Sequence, residues 1–311
     1  MSDILTSPDG TPGSRFAFGT MQFGGRADAG QAAEMVDACL DAGITHFDTA
    51  HVYNDGASER ITGELLRPHR ERVIVATKAG FKGGAGRANI LRQFDESRRR
   101  LGMDMVDVLY LHRFDPDTDL AETMDAFATL HARGQVRYVG LSNFAAWQVM
   151  KAQWVASGFD LRIAVLQPMY NLVKRQAEVE ILPMCIDQSI AVAPYSPLGG
   201  GLLTGKYARG GGGRLSEDRA YADRYAPGWM HEAAAGLADI AAELGTDPAT
   251  LAVAWVAAHP ARPAPIISAR SAAQLAPSLA ALDAPMAPAL YDRLSALTTP
   301  PPPATDRLEE A

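Results

Sequence analysis

Short runs of apolar residues alternate along this chain with longer segments whose apolar residues recur every three or four positions. The short runs predict buried β-strands and the longer segments predict amphipathic helices. We predict eight strands, at 16–19, 45–50, 73–78, 106–112, 136–141, 162–167, 190–195 and 265–267. We predict helices at 29–42, 58–66, 89–101, 118–132, 145–157, 175–188, 231–244, 248–258 and 271–282.

Eight strand–helix units with short connections favour an α/β fold in one domain, a closed parallel (β/α)8 or TIM barrel over residues 1–298. An open doubly wound sheet usually has fewer strands, and no Gly-x-Gly-x-x-Gly motif follows the first strand. The exception to short connections is a long glycine-rich loop after strand seven, at about 199–228, which we expect to be functional. Residues 299–311 begin with a run of prolines and are expected to form a loosely held or disordered tail.

The amino-acid composition limits the classes of protein to which this chain could belong. Hydrophobic residues make up 47% and charged residues 21%, which is typical of a globular enzyme. The net charge of −7 and the lack of a basic stripe disfavour a nucleic-acid partner. Two cysteines are too few for a disulfide scaffold or a cysteine-rich metal site, and we predict no metal. There is no apolar run of membrane-spanning length and no signal peptide at Met1, so we expect no membrane association and a cytoplasmic location.

Three of the predicted strands end in residues that can do acid–base work. These are Asp48, Lys78 and His112, and Tyr53 lies just beyond Asp48. Barrel enzymes keep their chemistry at the carboxyl ends of their strands, so these four residues form a candidate catalytic quartet suited to carbonyl chemistry. Each also has a simpler interpretation, as a turn cap, a loop aromatic, a solvated charge and a structural histidine respectively. Their shared position at strand ends favours the catalytic interpretation.

Six phrases carry a family resemblance, at 43–53, 76–78, 109–113, 140–144, 167–171 and 194–206. In order and spacing they resemble the aldo-keto reductase superfamily over roughly residues 15–283. The resemblance implies a TIM barrel that binds NADPH in an extended form, and an enzyme that reduces aldehydes or ketones to alcohols.

The resemblance also implies a role for each member of the quartet. Tyr53 would donate the proton, Lys78 would lower its pKa, Asp48 would hold Lys78, and His112 would orient the substrate oxygen. The residue types fit, because a free tyrosine has a pKa of about 10 and a close ammonium favours the phenolate.

Cofactor contacts are implied at matching positions along the chain. Those for the nicotinamide are Ser142, Asn143 and Gln167, with Tyr195 stacked on its ring. Those for the pyrophosphate are Ser196, Leu198, Gly201 and Lys206, and those for the adenosine end are Ser268, Arg270, Gln274 and Ser278. Gly19, Thr20, Met21 and Asp48 complete the set.

Arg270 favours NADPH over NADH, because a guanidinium suits the 2′-phosphate, although NADH stays open. Ser268 and Ser278 depart from the family pattern, which commonly has glycine and asparagine there. Other interpretations are a surface ion pair for Arg270, core packing for Tyr195 and a mobile surface loop for 199–206.

The expected partner is a small carbonyl compound, with the oligomeric state left open. The predicted pocket walls are Met21, Val52, Phe81, Phe114 and residues of the 210–230 loop, including Tyr221, Tyr225 and Trp229. Lys82 and Arg113 are near enough in sequence to bind an acidic substituent, but a solvated surface charge is the favoured interpretation of both. Two other functions are considered. One is a non-catalytic partner-binding relative such as the potassium-channel β subunits, and the other is a Schiff-base aldolase with Lys78 as the nucleophile.

Overall fold

A computed structural model describes residues 4–207, 210–307 and 309. Its eight strands all run parallel in one sheet with the order β7-β6-β5-β4-β3-β2-β1-β8. They are β1 (Ala17–Gly19), β2 (His46–Asp48), β3 (Ile74–Ala79), β4 (Val106–Leu111), β5 (Val136–Ser142), β6 (Ile163–Gln167), β7 (Ala191–Val192) and β8 (Ile266–Ile267).

Backbone hydrogen bonds join the two ends of this sheet. The Ala264 amide donates to the Val192 carbonyl and the Ile266 amide to the Pro194 carbonyl, both over 2.8 Å. The ring of strands is therefore closed, and the barrel predicted from the sequence is confirmed. β7 and β8 are shorter than the predicted 190–195 and 265–267, because the prolines beside them cannot donate a ladder hydrogen bond.

Twelve α-helices occur in the described part of the chain. They are α1 (Ala29–Asp41), α2 (Ala57–Leu66), α3 (Arg87–Leu101), α4 (Leu120–Ala132), α5 (Ala146–Ser157), α6 (Ile181–Asp187), α7 (Arg214–Glu217), α8 (Arg219–Arg224), α9 (Gly228–Glu243), α10 (Pro248–Ala257), α11 (Ala272–Ala280) and α12 (Pro288–Ser295). Several begin where the sequence supplies a cap: the Asp28 carboxylate accepts from the Gln31 amide at the start of α1, and Asp119 and Asp247 cap α4 and α10 in the same way.

Three predicted segments differ from the structure. The single helix expected at 175–188 is a 3-10 turn at Gln176–Glu178 followed by α6, because Pro183 is tolerated only in a first helical turn. The loop expected at 199–228 contains a 3-10 segment at Gly199–Thr204 and the short helices α7 and α8. Helix α12 was not predicted.

The barrel interior is filled by small and branched side chains together with the aromatic ring of Tyr110. They are Ala17, Ile74, Ala76, Val108, Tyr110, Ala164, Val165, Ala191, Ala193 and Ile266, and Leu5 joins them from outside the strands. Leu5 is fully buried at the amino-terminal end of the barrel, where Thr6 and Pro12 form an antiparallel bridge. This packing closes one end of the barrel, so the opposite end, with the strand carboxyl termini, is the open one.

Residues 299–307 contain a turn but no helix or strand. Residues 308, 310 and 311 of the expected disordered tail lie outside the described residues, so the disorder of 299–311 stays a prediction. Within the described residues no helix is long and apolar enough to cross a membrane. The same residues hold no group of three histidine, cysteine or acidic side chains that could bind a metal ion.

Candidate active site

The strand ends bring the predicted quartet together. Asp48 is the last residue of β2, Lys78 lies near the end of β3, and His112 follows β4. Tyr53 begins the 3-10 turn Tyr53–Gly56 that leads from β2 into α2. The four side chains therefore meet at the open end of the barrel.

Lys78 and Asp48 form a buried ion pair below the cavity. The Lys78 ammonium donates to Asp48 Oδ1 and, over 2.8 Å, to the Thr49 carbonyl. Gln167 Nε2 donates to the other Asp48 oxygen over 2.9 Å. Burial favours a lower pKa for Lys78, but the charge of Asp48 and the Tyr53 hydroxyl raise it, and the net pKa is raised. Lys78 is thus a fixed ammonium.

The Tyr53 ring lies beside this ammonium, with Lys78 Nζ 5.1 Å from the ring centre. Burial raises the pKa of Tyr53, while the charge and hydrogen bond of Lys78 lower it, and the net pKa is raised. The sequence led us to expect that Lys78 lowers the pKa of Tyr53, and its charge does act in that direction, but the burial of the phenol outweighs it. Tyr53 is therefore a neutral phenol at neutral pH.

His112 faces Tyr53, with their ring centres 6.1 Å apart in an edge-on arrangement. Burial, together with the charges of Lys78 and Arg113, lowers the pKa of His112 to about 3. The ring is therefore a neutral imidazole, which can form a hydrogen bond with a substrate oxygen but cannot act as a cationic acid at neutral pH.

A cavity of about 550 Å³ opens above the quartet. It is lined by three of the quartet, Asp48, Tyr53 and His112, while Lys78 lies buried beneath. Predicted cofactor residues on its wall are Gly19, Met21, Ser142, Asn143, Gln167, Tyr195, Ser196, Leu198, Gly201, Lys206, Ser268, Arg270 and Gln274. Two predicted residues lie elsewhere: Thr20 is buried and bonded to the Asp48 carbonyl, and Ser278 is buried in α11.

Amide and hydroxyl groups at the ends of β5 and β6 form a rigid polar wall. Asn143 Nδ2 donates to the His112 carbonyl over 3.0 Å, and the Tyr195 hydroxyl donates to Asn143 Oδ1 over 2.7 Å. Ser142 Oγ donates to the Gln167 carbonyl over 3.1 Å. These groups are fixed by one another, as a site for a planar amide-bearing ring requires.

Positive charges gather at the other end of the cavity. Lys206, Arg214 and Arg270 line it, and burial together with the charge of Arg270 lowers the pKa of Lys206. Gly201 beside Lys206 has a φ of +97°, a conformation that favours glycine. A concave wall with clustered cations fits the phosphates of a dinucleotide. In this structure Glu217 pairs with Arg270 over 3.1 Å and with Arg26 over 3.0 Å.

The predicted substrate walls are only partly on the cavity. Met21, Val52, Phe81, Lys82 and Tyr221 line it. Phe114, Trp229 and Arg113 do not, and Tyr225 is fully buried, where the Asn171 amide donates to its hydroxyl over 3.4 Å. Arg113 instead lies over the Phe81 ring at 4.9 Å.

Sequence reasoning did not name Gln22 on the cavity wall, and it gave Arg214 and Arg224 only as part of the 210–230 loop. The two arginines belong to the loop after β7, where Arg214, Arg219 and Arg224 follow a glycine-rich stretch, and nothing in the sequence distinguishes the two that line the cavity from the one that does not. No motif or pattern in the sequence indicated that Gln22 lines the cavity.

A buried network supports the segment that carries Tyr53. Glu59 in α2 is fully buried and accepts from Thr77 Oγ1 over 2.7 Å and from Arg100 Nη1 over 3.2 Å. Arg100 Nη1 also donates to the His51 carbonyl over 3.0 Å. Thr77 precedes Lys78 and His51 precedes Tyr53 by two residues, so one network links the segment that carries Tyr53 to the strand that carries Lys78.

The chain has relatives among known proteins. The model of the aldo/keto reductase family matches residues 15–298. The chain is 34% identical, over 94% of its length and 95% of the relative's, to a probable voltage-gated potassium channel subunit beta of Oryza sativa subsp. japonica. It is 34% identical, over 87% of each chain, to the uncharacterized oxidoreductase YrpG of Bacillus subtilis strain 168. It is 41% identical, over 61% of its length and 54% of the relative's, to human aflatoxin B1 aldehyde reductase member 2.

Proposed function

The chain belongs to the aldo/keto reductase family, and from that premise we propose that it is an NADPH-dependent oxidoreductase that reduces aldehydes or ketones to alcohols. The observation that carries the proposal is the neutral Tyr53 phenol, held beside the Lys78 ammonium and facing a cavity of about 550 Å³. A protonated acid next to a fixed cation is the arrangement that delivers a proton to an alkoxide.

The proposed reaction adds a hydride to the carbonyl carbon and a proton to its oxygen. The reduced nicotinamide supplies the hydride when it is bound. Neutral His112 hydrogen-bonds the carbonyl oxygen and orients it toward the Tyr53 hydroxyl. Tyr53 gives up its proton as negative charge develops on that oxygen, and Lys78 stabilises the resulting phenolate. Asp48 keeps Lys78 charged and in place.

The cavity wall supports the proposed cofactor. Ser142, Asn143 and Gln167 would hold the nicotinamide amide, and Tyr195 would cover one face of its ring. Lys206, to which we add Arg214, would bind the pyrophosphate. Arg270 would bind the 2′-phosphate in exchange for Glu217, which favours NADPH over NADH.

Two alternatives receive different support. A Schiff-base aldolase is disfavoured, because the pKa of Lys78 is raised and an ammonium is not a nucleophile. A partner-binding role is the second candidate, since two plant relatives at 34% identity are named as probable potassium channel subunits. Cofactor binding without measurable turnover, together with one stoichiometric partner in a pull-down, would favour it. The cytoplasmic location expected from the sequence stays a prediction.

The test is the reduction of 4-nitrobenzaldehyde with NADPH, followed as the loss of absorbance at 340 nm. Tyr53→Phe should lower kcat by about 100-fold or more, since general acid catalysis commonly contributes roughly 10²–10⁴-fold. Tyr110→Phe is the matched control, because Tyr110 is a buried tyrosine whose ring centre lies 5.7 Å from the same Lys78 Nζ but which does not line the cavity. Full activity in Tyr53→Phe would show that another group donates the proton.

A further inference from the structure

Helix α5 carries three large apolar side chains that are exposed to solvent. Trp147 is 62% exposed, Trp154 is 79% exposed and Met150 is 38% exposed. Two of the four tryptophans of the chain therefore lie on the surface of this one helix. Surface hydrophobic residues that are scattered singly need no explanation, whereas several that lie side by side indicate an interaction site.

These side chains lie side by side in one stripe. Seven residues of an α-helix make nearly two turns, so Trp147 and Trp154 point within about 20° of each other and lie about 10.5 Å apart along the helix axis. Met150 and Lys151, both exposed, lie on either side of the line that joins the two indoles. The buried residues of α5 lie on its other face, against the barrel. We call Trp147, Met150, Lys151 and Trp154 the tryptophan stripe.

One end of the tryptophan stripe is held in place by other aromatic rings. The Trp147 ring lies 5.8 Å from the ring of Phe114, and Phe114 packs edge-on against Phe144 at 5.5 Å. A side chain that is fixed before a partner covers it loses less conformational entropy on binding. The tryptophan stripe is therefore partly preorganised for an interface.

The residues of α5 follow almost the same order in both directions from the middle of the stripe. Counted outward from the midpoint between Met150 and Lys151, an aliphatic residue, an amide and an indole follow on each side. The matching pairs are Val149 with Ala152, Gln148 with Gln153, and Trp147 with Trp154. An interface between two identical chains about a two-fold axis requires such a pattern, because residue i contacts residue j and j contacts i.

Two antiparallel α5 helices related by an axis through that midpoint would place the matching residues opposite one another. Trp147 of each copy would face Trp154 of the other, and Lys151 would face Met150 of the other copy. The two lysines would lie on opposite sides of the axis, each beside an indole of the other copy, where a cation is attracted to the ring. The stripe is thus complementary to itself in shape and in charge.

The area of the stripe indicates how strongly two copies would associate. At their present exposure the two tryptophans and Met150 would bury on the order of 400 Å² on each copy, since a covered aromatic side chain buries about 150–250 Å². A standard interface buries about 800 Å² on each partner, with an apolar core and a polar rim. The stripe therefore suffices for the core of a small interface, and we expect a dimer of moderate affinity.

We propose that the tryptophan stripe is a dimer interface, in which two copies of this chain pair through antiparallel α5 helices about a two-fold axis. A peptide or a lipid surface would use the exposed indoles equally well, but neither requires the same order of residues in both directions. The inference goes beyond the proposed reductase function and does not depend on it.

Sedimentation velocity of the full chain, at concentrations from about 1 to about 300 µM, tests the association. The average mass should rise from that of one chain toward that of two, with a Kd on the order of 10 µM, because interfaces at the small end of the range are weak. A mass of one chain at every concentration would overturn the proposal and would assign the stripe to a different kind of partner.

Two tryptophan variants locate the interface. Trp154→Lys should raise the Kd of the dimer by about 100-fold or more, because tryptophans at the centre of an interface commonly dominate its affinity and both copies lose one. Trp229→Lys is the matched control, since Trp229 is 49% exposed but lies on α9. Both replaced side chains are largely exposed, so the thermal unfolding of both variants should match that of the wild type. A dimer that persists in Trp154→Lys, or dissociates equally in Trp229→Lys, would contradict the assignment to α5.

Cross-linking tests the antiparallel arrangement. When Trp147→Cys and Trp154→Cys proteins are mixed at concentrations above the Kd, a short bismaleimide should link them, because the two cysteines face each other in the mixed dimer while the other tryptophan pair stays intact. Either variant alone should give little product, since each cysteine then faces a tryptophan. The native Cys39 and Cys185 are buried and contribute little background. Equal cross-linking in the single variants would overturn the antiparallel pairing.

Discussion

Tyr53 is subject to two opposed influences, and their balance sets its protonation. The Lys78 ammonium favours the phenolate, but burial favours the neutral phenol more strongly, so the pKa of Tyr53 is raised. The same ammonium, with burial, lowers the pKa of His112 to about 3. Of these two groups, only the phenol can act as a general acid at neutral pH, because the neutral imidazole has already lost its acidic proton.

The pH dependence of the reaction follows from these directions. A raised pKa keeps Tyr53 and Lys78 protonated as pH rises, and a lowered pKa keeps His112 neutral as pH falls. We expect kcat/KM for reduction to be flat from about pH 6 to about pH 9.5, a range that includes the ordinary histidine pKa of about 6.5 and ends below the ordinary tyrosine pKa of about 10. The measurement is kcat/KM for a neutral aldehyde across that range at constant ionic strength. A limb near pH 6.5 would indicate a titrating imidazole and contradict the assigned roles.

Arg270 provides a second test at the level of one residue. Its guanidinium pairs with Glu217 over 3.1 Å at the phosphate end of the cavity. Arg270→Met should weaken the binding of NADPH by about 10-fold or more and the binding of NADH by much less, because only NADPH has a 2′-phosphate for the guanidinium to bind. Dissociation constants from the quenching of intrinsic fluorescence would show this. Glu217→Gln breaks the same ion pair but leaves Arg270, so its preference for NADPH should persist; a lost preference there would assign the selectivity to Glu217.

At the scale of elements, α2 and α3 hold the turn that carries Tyr53. Arg100 from α3 bonds both Glu59 and the His51 carbonyl, and it lies so close to Gly56, whose φ is +83°, that a Cβ there would be 2.6 Å from the guanidinium. The turn thus has little freedom to move relative to β3. We regard Glu59 and Arg100 as positioning residues, since neither lines the cavity.

Loosening this network should slow the chemistry more than it weakens binding. Arg100→Gln is expected to lower kcat by about 10- to 100-fold with the KM for NADPH little changed, because a misplacement of roughly 1 Å can cost about 100-fold. A larger primary deuterium isotope effect with deuterated NADPH would mark slower hydride transfer, which simple loss of folded protein would not produce. Arg99→Gln, on the exposed side of α3, is the control. An isotope effect equal to that of the wild type would argue against the positioning role.

Elements whose burial pattern is local were predictable from the sequence, and those that depend on distant contacts were not. The quartet could be found because Asp48, Lys78 and His112 each follow a short apolar run, and a barrel places all such ends on one face. The 210–230 loop could be predicted as a cavity wall, but Arg214 and Arg224 could not be singled out, because their positions depend on how that loop folds over the cavity. Pro183 indicates that a helix must begin shortly before it, so the division of 175–188 into a 3-10 turn and α6 could have been predicted from the sequence.

At the scale of the whole molecule, a second buried charge cluster lies at the end of the barrel opposite the candidate quartet. Asp107, near the amino end of β4, is fully buried and pairs with Arg70 over 2.8 Å and Arg137 over 2.9 Å. Its Oδ2 also accepts from the Val75 amide over 2.8 Å. This cluster ties β3, β4 and β5 together far from the reacting residues.

Removing that carboxylate should reduce stability without altering the chemistry. Asp107→Ala leaves two arginines and an amide without their acceptor and should lower the free energy of unfolding by about 3–5 kcal/mol. Denaturant titration measures the loss, and kcat per folded molecule should match the wild type. Asp104→Ala is the control, because its side chain is exposed and its 3.4 Å pair with Arg98 should contribute only about 0–1 kcal/mol. A change in kcat per folded molecule would show that the two ends are coupled.

The closure between β7 and β8 depends on a few hydrogen bonds made by two-residue strands, and the segments that leave these strands carry Tyr195 and Ser268 on the cavity wall. Fewer backbone hydrogen bonds join β7 to β8 than join the longer neighbouring strands, so transient opening of the barrel should begin between β7 and β8. A dinucleotide that contacts both segments would stabilise the barrel against this opening. Hydrogen–deuterium exchange at the Ala264 and Ile266 amides should therefore slow when NADPH is added, more than exchange at the β3–β4 junction on the opposite side of the ring.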